Sequence, residues 1–490
     1  MVPRSRVTRK NDAAIRSDGD YVLYWMVATR RARWNFALDR AAEWARELGK
    51  PLLILEALRC DYRWASDRIH RFIIDGMRDN AAALRGSGVG YYPYVEPKKG
   101  AGKGLLSALA ARAAVVVTDE FPCFFLPEMV TAAAAKLEVR LEAVDSNGLL
   151  PLRASDRAFH RAFDFRRFLQ RELPDHLMDF PHQSVRRRTG LPSFKGLPGA
   201  VGDRWPMASR AGLDGELALE GLPIDHRIQA VSQRGGYRAG QRALRRFLDG
   251  RLDRYSAERN QPETKATSEL SAYLHFGHIS PHQVLDAIAR REDWSPWKLG
   301  DETGGKRRGW WNLSEPAEAF LDQLVTWREL GYNFCFHRPD YAEYGSLPDW
   351  VRQTLRAHEG DERPYTYDLE QFEQAATHDE IWNAAQNELR QRGRIHNYLR
   401  MLWGKKILHW SRSPKQALHN MIELNNKFAL DGRNPNSYSG IFWVFGRFDR
   451  AWGPEREIFG KVRYMTSSNT RRKLRLGAYL RRWGGGPARP

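Results

Sequence analysis

The run Trp382–Trp410, WNAAQNELRQRGRIHNYLRMLWGKKILHW, and its continuation over 411–443, SRSPKQALHNMIELNNKFALDGRNPNSYSGIFW, decide how the C-terminal half folds. Apolar residues recur there with a 3.6-residue period, so the stretch reads as amphipathic helices. Trp403 and Trp410, seven apart, fall about 20° from each other around a helix and roughly 10 Å along it. They share a face. Asn397 and Met401, four apart, share a second face about 120° or more away, with Arg400 between the two. Indole is the most easily oxidised common side chain, and spaced indoles can carry an electron from solvent to a buried group. Two core tryptophans on an amphipathic helix account for the same spacing.

Outward from this stretch, helical patterns dominate from Ala239 onward, in GQRALRRFLDGRLDRYSAERN, SPHQVLDAIARR and EPAEAFLDQLVTWRELGYNF. Residues 231–490 are therefore expected to form an all-α domain. Upstream the pattern alternates. Strand-like YVLYWMV (21–27) precedes helical TRRARWNFALDRAAEWARELG, with Thr29 as N-cap and Gly49 as stop; PLLILEAL, GYYPYVE, AVVVTDE and VRLEAVD follow as strands between further helical runs. Such alternation predicts a mostly parallel sheet covered on both faces, an α/β Rossmann-like domain over 21–184. GSGVG at 86–90 and GAGKG at 100–104 miss the dinucleotide and P-loop spacings and read as surface turns. Residues 185–230, rich in Pro, Gly and Arg, read as a linker wrapping the surface. Residues 1–20 are basic and polar without a secretory apolar core, and read as a disordered leader.

Composition narrows the partner. A net charge of +19 points to a polyanion, with nucleic acid first, because clustered Lys and Arg release condensed counterions. No apolar run approaches the ~20 residues that span a membrane. Seventeen tryptophans supply many flat faces for stacking on flavins or nucleobases. Cys60, Cys123 and Cys335 are scattered, which fits a reducing compartment, and three thiols cannot ligate an ordinary iron–sulfur cluster.

Thr267-Ser268-x-Leu270-Ser271 places three hydroxyls and free N–H groups where a helix begins, which suits phosphate; helix capping explains the same residues. In its context, TSELSAYLHFGHISP, this segment resembles the flavin-phosphate segment of the photolyase/cryptochrome family. THDEIWNAAQNELRQRGRIHNYLRMLWGKKILHW, ELNNKFALDGRNPNSYSGIFW, DRAWGPEREIFGKVRYM and YWMVATRRARWNFAL look like class II cyclobutane pyrimidine dimer photolyases. The resemblance implies an α/β antenna-type domain, a helical FAD domain with the cofactor active as FADH⁻, and UV-damaged DNA as partner. Tyr255, Thr267, Ser268, Leu270 and Ser271 would hold FAD phosphate and ribitol. Arg400 would pair with Asp431 beside the isoalloxazine, Asn425 would face flavin N5, and Asn397 would also face the flavin. Electrons would run from Trp410, nearest solvent, through Trp382 to Trp403.

For the flipped dimer the resemblance implies Trp327, Met401 and Trp443, with Gln323 where the family usually has Glu. Arg450 and Trp452 would enter the gap left in the duplex, and Lys461 and Arg463 would hold nearby phosphates. A deazaflavin or other antenna chromophore, a monomeric state, and a cytoplasmic, nucleoid-associated location in a bacterium complete the expectation. A cryptochrome-like photoreceptor and a (6-4) photolyase are the alternatives within the same family.

Overall fold

The computed structural model describes residues 1–184, 190–197, 199–209, 212–213 and 219–485. Two units separate by their internal packing: residues 1–154, 172–245 and 270–296 form the first, and residues 155–171, 246–269 and 297–490 the second.

The first unit is built on six strands: β1 (Val7–Arg9), β2 (Tyr21–Met26), β3 (Leu52–Leu58), β4 (Gly90–Val95), β5 (Ala113–Asp119) and β6 (Leu141–Val144), in the order β1-β6-β5-β2-β3-β4. All pairings are parallel except β1 with β6. Every residue of the central strands β2 and β5 is buried, as a sheet covered on both faces requires. Pro93 is tolerated because β4 is an edge strand, where a missing N–H breaks no ladder. The helices between these strands are α1 (Phe36–Glu47), α2 (Asp67–Leu84), α3 (Leu105–Ala110) and α4 (Leu126–Ala134). Phe36, Ala37, Ala41 and Trp44 of α1 pack on Val22, Tyr24, Val115 and Val117 of the sheet.

Three expectations need correction. Residues 1–20 are not a disordered leader: Val7 registers with Val144, and the fully buried Arg6 donates to the carbonyl of Leu149 (2.6 Å). The edge of β6 needs a partner, and basic residues on both sides mask the short apolar signal. The cap of α1 is Asn35, which accepts from Leu38 N–H, rather than Thr29. Asp119 holds the backbone N–H groups of Val27, Ala28 and Thr29 at 2.8–2.9 Å, so the chain turns helical only beyond them. Gly49 does follow the helix end, at φ +63°. Nor does a cut at 231 divide the units, because Tyr273, Phe276 and His278 pack against Phe72 of α2 and draw residues 270–296 into the first unit.

Within 185–230, residues 185–189, 198, 210–211 and 214–218 lie outside the described residues. The remainder packs on the first unit through Phe194 against Tyr21 (5.8 Å between centroids) and Trp205 N–H to the Ala101 carbonyl (3.0 Å). The glycine runs at 86–90 and 100–104 form turns, with Gly86, Gly88, Gly100 and Gly104 at positive φ.

In the second unit the helices that frame the site are α5 (Arg328–His337), α6 (Glu380–Arg392), α7 (Asn397–Trp410), α8 (Pro414–Phe428) and α9 (Pro435–Val444). Asp379 caps α6, Ser413 caps α8 and Asn434 caps α9, the last two followed by Pro at the first helical position. A π-helical turn, Asp322–Trp327, leads into α5. The three-helix contact depends on two glycines. A Cβ on Gly331 of α5 would lie 2.8 Å from the backbone of Asn436, and one on Gly404 of α7 would lie 2.6 Å from the Val444 side chain.

Candidate functional site

Tyr255 is buried against Phe247 and Phe320, at 5.7 and 5.4 Å between centroids, and burial raises its phenol pKa. Thr267 and Ser268 are half-buried, Leu270 is buried and Ser271 is exposed. Their backbone course is fixed by Glu269, which takes φ +60° and binds Arg394 (2.5 Å) and Arg251 (3.2 Å). Burial opposes the Glu269 charge, yet Arg394 and then Arg251 outweigh it and lower the carboxyl pKa. Arg251 also donates to the Thr267 carbonyl (3.2 Å). The unit boundary falls after Glu269, so Tyr255, Thr267 and Ser268 belong to the second unit and Leu270 and Ser271 to the first. The helix that opens at Ser271 is only five residues long, so the hydroxyls and N–H groups, not a long dipole, are the resource here.

Arg400 of α7 meets Asp431 through two contacts, Nη2–Oδ1 at 3.0 Å and Nη1–Oδ2 at 3.4 Å. Both side chains keep part of their surface open, at 25% and 15%. Gly432 lets the chain fold back on α8, since a Cβ there would lie 2.8 Å from the Asn425 carbonyl. Asn425, on α8, is buried; its Nδ2 donates to Ser437 Oγ of α9 (2.6 Å) and Asn426 Oδ1 (3.2 Å). Its Oδ1 accepts no hydrogen bond among the described residues. An amide oxygen on a buried residue, left to a further donor near a half-open Arg–Asp pair, fits the polar edge of a flavin ring. The donor set agrees with the expectation for FAD. Asn397, at the first position of α7, is exposed.

Trp382 and Trp403 lie parallel, 6.4 Å between centroids at 4°, and Trp382 meets Trp410 edge-on at 6.1 Å. Trp382 Nε1 donates to the Trp403 carbonyl (3.0 Å), and Trp403 Nε1 to Gln386 Oε1 (2.9 Å). The three indoles are contiguous. Trp410 is not at the solvent, however, being 2% exposed. Tyr367 and His378 cover it at 5.7 and 4.9 Å, Tyr367 OH meets His378 Nδ1 at 2.6 Å, and Tyr365, 50% exposed, stacks on His378 at 3.8 Å. A segment remote in sequence closes over the end of the row.

Gln323 and Trp327 sit on the π-helical turn, Met401 on α7 and Trp443 on α9, all half-buried. Gly331 of α5 lies beside Asn436 of α9, and Phe334 meets Phe442 (5.6 Å). Gly404 of α7, three residues after Met401, lies beside Val444, the residue after Trp443. Asn436, Gly440 and Trp443 are the residues of α9 that are not buried.

After α9, Arg450 and Arg463 both approach the Trp452 ring, at 4.7 and 4.1 Å, and the Trp452 backbone N–H donates to the Lys461 carbonyl (2.8 Å). Arg463 is paired with Asp449 (2.9 Å), whereas the exposed Lys461 faces Glu455 (3.2 Å). Arg450 is exposed. Sequence reasoning missed Gln386, Ser437, Tyr367 and His378, whose roles arise from contacts between segments. It also missed Lys405, whose burial likewise arises from contact with another segment, the end of α9.

No family model matches the chain. In the solved structures, it shares its fold with a bacterial class III photolyase from Agrobacterium tumefaciens, at TM-score 0.68 and 19% identity, covering 95% of this chain and 86% of that one. The architecture is thus that of the photolyases. Curated relatives carry the assignment further: the deoxyribodipyrimidine photo-lyase of Methanothermobacter thermautotrophicus is 34% identical over 98% of both chains. Those of Oryza sativa and Potorous tridactylus are 31% and 30% identical, covering 94% and 96% of this chain and 87% and 82% of theirs. The chain belongs to the deoxyribodipyrimidine photo-lyase family.

Proposed function

We propose that the protein is a deoxyribodipyrimidine photo-lyase that splits cyclobutane pyrimidine dimers in DNA using light, and that it is of the class II kind. The observation that carries this reading is the full-length similarity to curated photo-lyases together with the Arg400–Asp431 pair and Asn425 on adjoining helices. FAD, when bound in its reduced form, supplies the photoexcited electron that opens the cyclobutane ring and then returns. Tyr255, Thr267, Ser268, Leu270 and Ser271 hold its phosphate and ribitol side. Arg400, neutralised in part by Asp431, sets a positive potential that favours an anionic ring. Asn425, whose two N–H groups are held by Ser437 and Asn426, offers its carbonyl oxygen to the ring edge, and Asn397 borders it.

The dimer has to leave the duplex to come within electron-transfer distance, and a lesion that stacks poorly costs less to extrude. Trp327 and Trp443 offer flat faces to it and Met401 an adaptable one. Gln323 donates an amide hydrogen bond where an acid is usual. Arg450 and Trp452 fill the gap in the duplex, and Lys461 neutralises phosphate nearby. Arg463, tied to Asp449, acts mainly by fixing that loop. The row Trp403, Trp382, Trp410 would carry electrons from an external reductant towards the flavin, with Tyr367 and His378 covering its outer end.

An antenna chromophore, a deazaflavin or another ring system, has a supporting feature in the first unit. Half-buried Tyr62, Trp64, Phe124 and Phe125 cluster beyond the carboxyl ends of β3 and β5, where open parallel sheets take ligands. Among the described residues no helix is long and apolar enough to cross a membrane. A monomer working on DNA in the cytoplasm, nucleoid-associated in a bacterium, is the matching state. The test is to purify the protein, record its absorption and illuminate it with dimer-containing DNA under reducing conditions. Flavin bands with light-dependent loss of dimers are expected; flavin-free protein, or dimers that persist, overturns the proposal.

A further inference from the structure

Lys405 occupies a position where packing alone calls for an apolar side chain. It is 0% exposed on α7 and donates to the carbonyl of Val444, the last residue of α9. This sets its Nζ 5.2 Å from the centre of the Trp443 ring. The Arg463 guanidinium is 5.5 Å from that same ring and 4.1 Å from Trp452, which Arg450 approaches in turn. Cations and indoles thus alternate from the core to the surface: Lys405, Trp443, Arg463, Trp452, Arg450.

The charged groups acting on Lys405 are Asp449 and Arg463, both from the loop that follows α9. They are paired with each other at 2.9 Å. On α7 itself His409, one turn further along, is held neutral by burial, at about 4. Lys405 forms no ion pair among the described residues, so its proton decides the net charge behind Trp443.

We propose that Lys405 is a positioning residue for lesion recognition: its ammonium clamps Trp443 to the end of α9 and draws the indole π density inward. The part of the ring left open to the lesion then repels a guest rich in carbonyl oxygens less strongly, and the relief is larger for one that takes up an electron. The lysine itself neither transfers an electron nor changes a covalent bond. This inference rests on Trp443 facing the dimer. Burial pushes the Lys405 ammonium down to about 7, with Arg463 acting in the same sense and Asp449 against it, so the charge behind the indole is lost just above neutrality.

The experiment compares affinities of the full-length, flavin-loaded protein for a duplex with one thymine dimer and for the same duplex undamaged. Both are measured from pH 6 to pH 9 at constant ionic strength, for wild type, Lys405→Met and Trp443→Ala. The expected wild-type result is a lesion preference that falls at least about fivefold as pH rises, the scale of one cation–π contact. Lys405→Met should start at the lower preference and stay flat. A wild-type preference independent of pH overturns the proposal even if the Met variant does not fold. A Lys405→Met variant that keeps the wild-type profile also overturns it, and assigns the titration to another group such as His358, whose charge Asp361 and Glu455 favour. Undiminished preference in Trp443→Ala removes Trp443 from the lesion site and the proposal with it. Loss in Trp443→Ala with an unaffected Lys405→Met removes the role of Lys405 alone.

Discussion

Two side chains carry opposite departures from a comfortable fold. Gln323 lies on the π-helical turn that ends at Trp327, a distortion of the kind that gathers at functional sites and that no hydrophobic period announces. Its amide donates a neutral hydrogen bond and cannot ionise. Gln323→Glu is expected to bind damaged DNA as wild type does, and to split more dimers per photon at acidic pH, where a protonated carboxyl donates more strongly. The gain should vanish as the carboxyl ionises. Quantum yields at saturating lesion check this, and an unchanged yield removes Gln323 from the electronic step.

Lys405, by contrast, weakens the fold it belongs to. Its ammonium titrates at about 7 in the folded protein and near ~10.4 in the unfolded chain. Between those values the unfolded chain binds more protons, so stability rises with pH; below about 7 both states are protonated and the penalty is present in full. Lys405→Met should therefore be more stable than wild type at pH 7 by roughly 1–3 kcal/mol, and the difference should shrink towards pH 10. Denaturant midpoints at the two pH values measure it.

At the scale of elements, the site depends on how closely three helices approach. Gly404→Ala places a methyl group against Val444 at the α7–α9 contact and is expected to cost about 1–3 kcal/mol while weakening lesion binding, because Met401 and Trp443 stand on either side of that contact. Thermal melting and binding report the two effects. The indole row makes a separate prediction. Trp382→Phe keeps a flat ring between Trp403 and Trp410 but removes the oxidisable one, so light-driven reduction of the bound flavin should stop. Repair by enzyme reduced chemically beforehand should persist.

Much of this level was legible in the sequence. The period of residues 382–443 located α6 to α9, and buried apolar runs located β2, β3 and β5. What escaped was whatever one segment imposes on another. Asp119 delays the start of α1 to Asn35, and the cover over Trp410 comes from Tyr367 and His378 on a separate stretch. Lys405 looks like half of a solvated Lys-Lys pair until Val444 and Trp443 are placed beside it.

On the scale of the whole molecule, periodicity distinguishes helix from strand but not the core that a helix joins, which is why residues 270–296 belong with the sheet. Charge is different, because it acts without regard to such boundaries. A net charge of +19 draws the chain to any duplex through counterion release, and that attraction carries no information about damage. Lesion specificity must then come from groups that add nothing to the salt dependence. Trp452→Ala and Lys461→Gln separate the two contributions. The first removes the side chain held between Arg450 and Arg463, and should lower affinity for damaged duplex about tenfold while leaving the slope of log affinity against log salt as it was. The second removes one exposed cation, and if Lys461 meets phosphate as proposed it should weaken damaged and undamaged duplexes alike while reducing the slope by about one. Wild-type lesion affinity in Trp452→Ala would exclude insertion of this side chain into the duplex. A slope changed by Trp452→Ala to the extent seen with Lys461→Gln would mean that the indole acts only by placing its flanking arginines on phosphate.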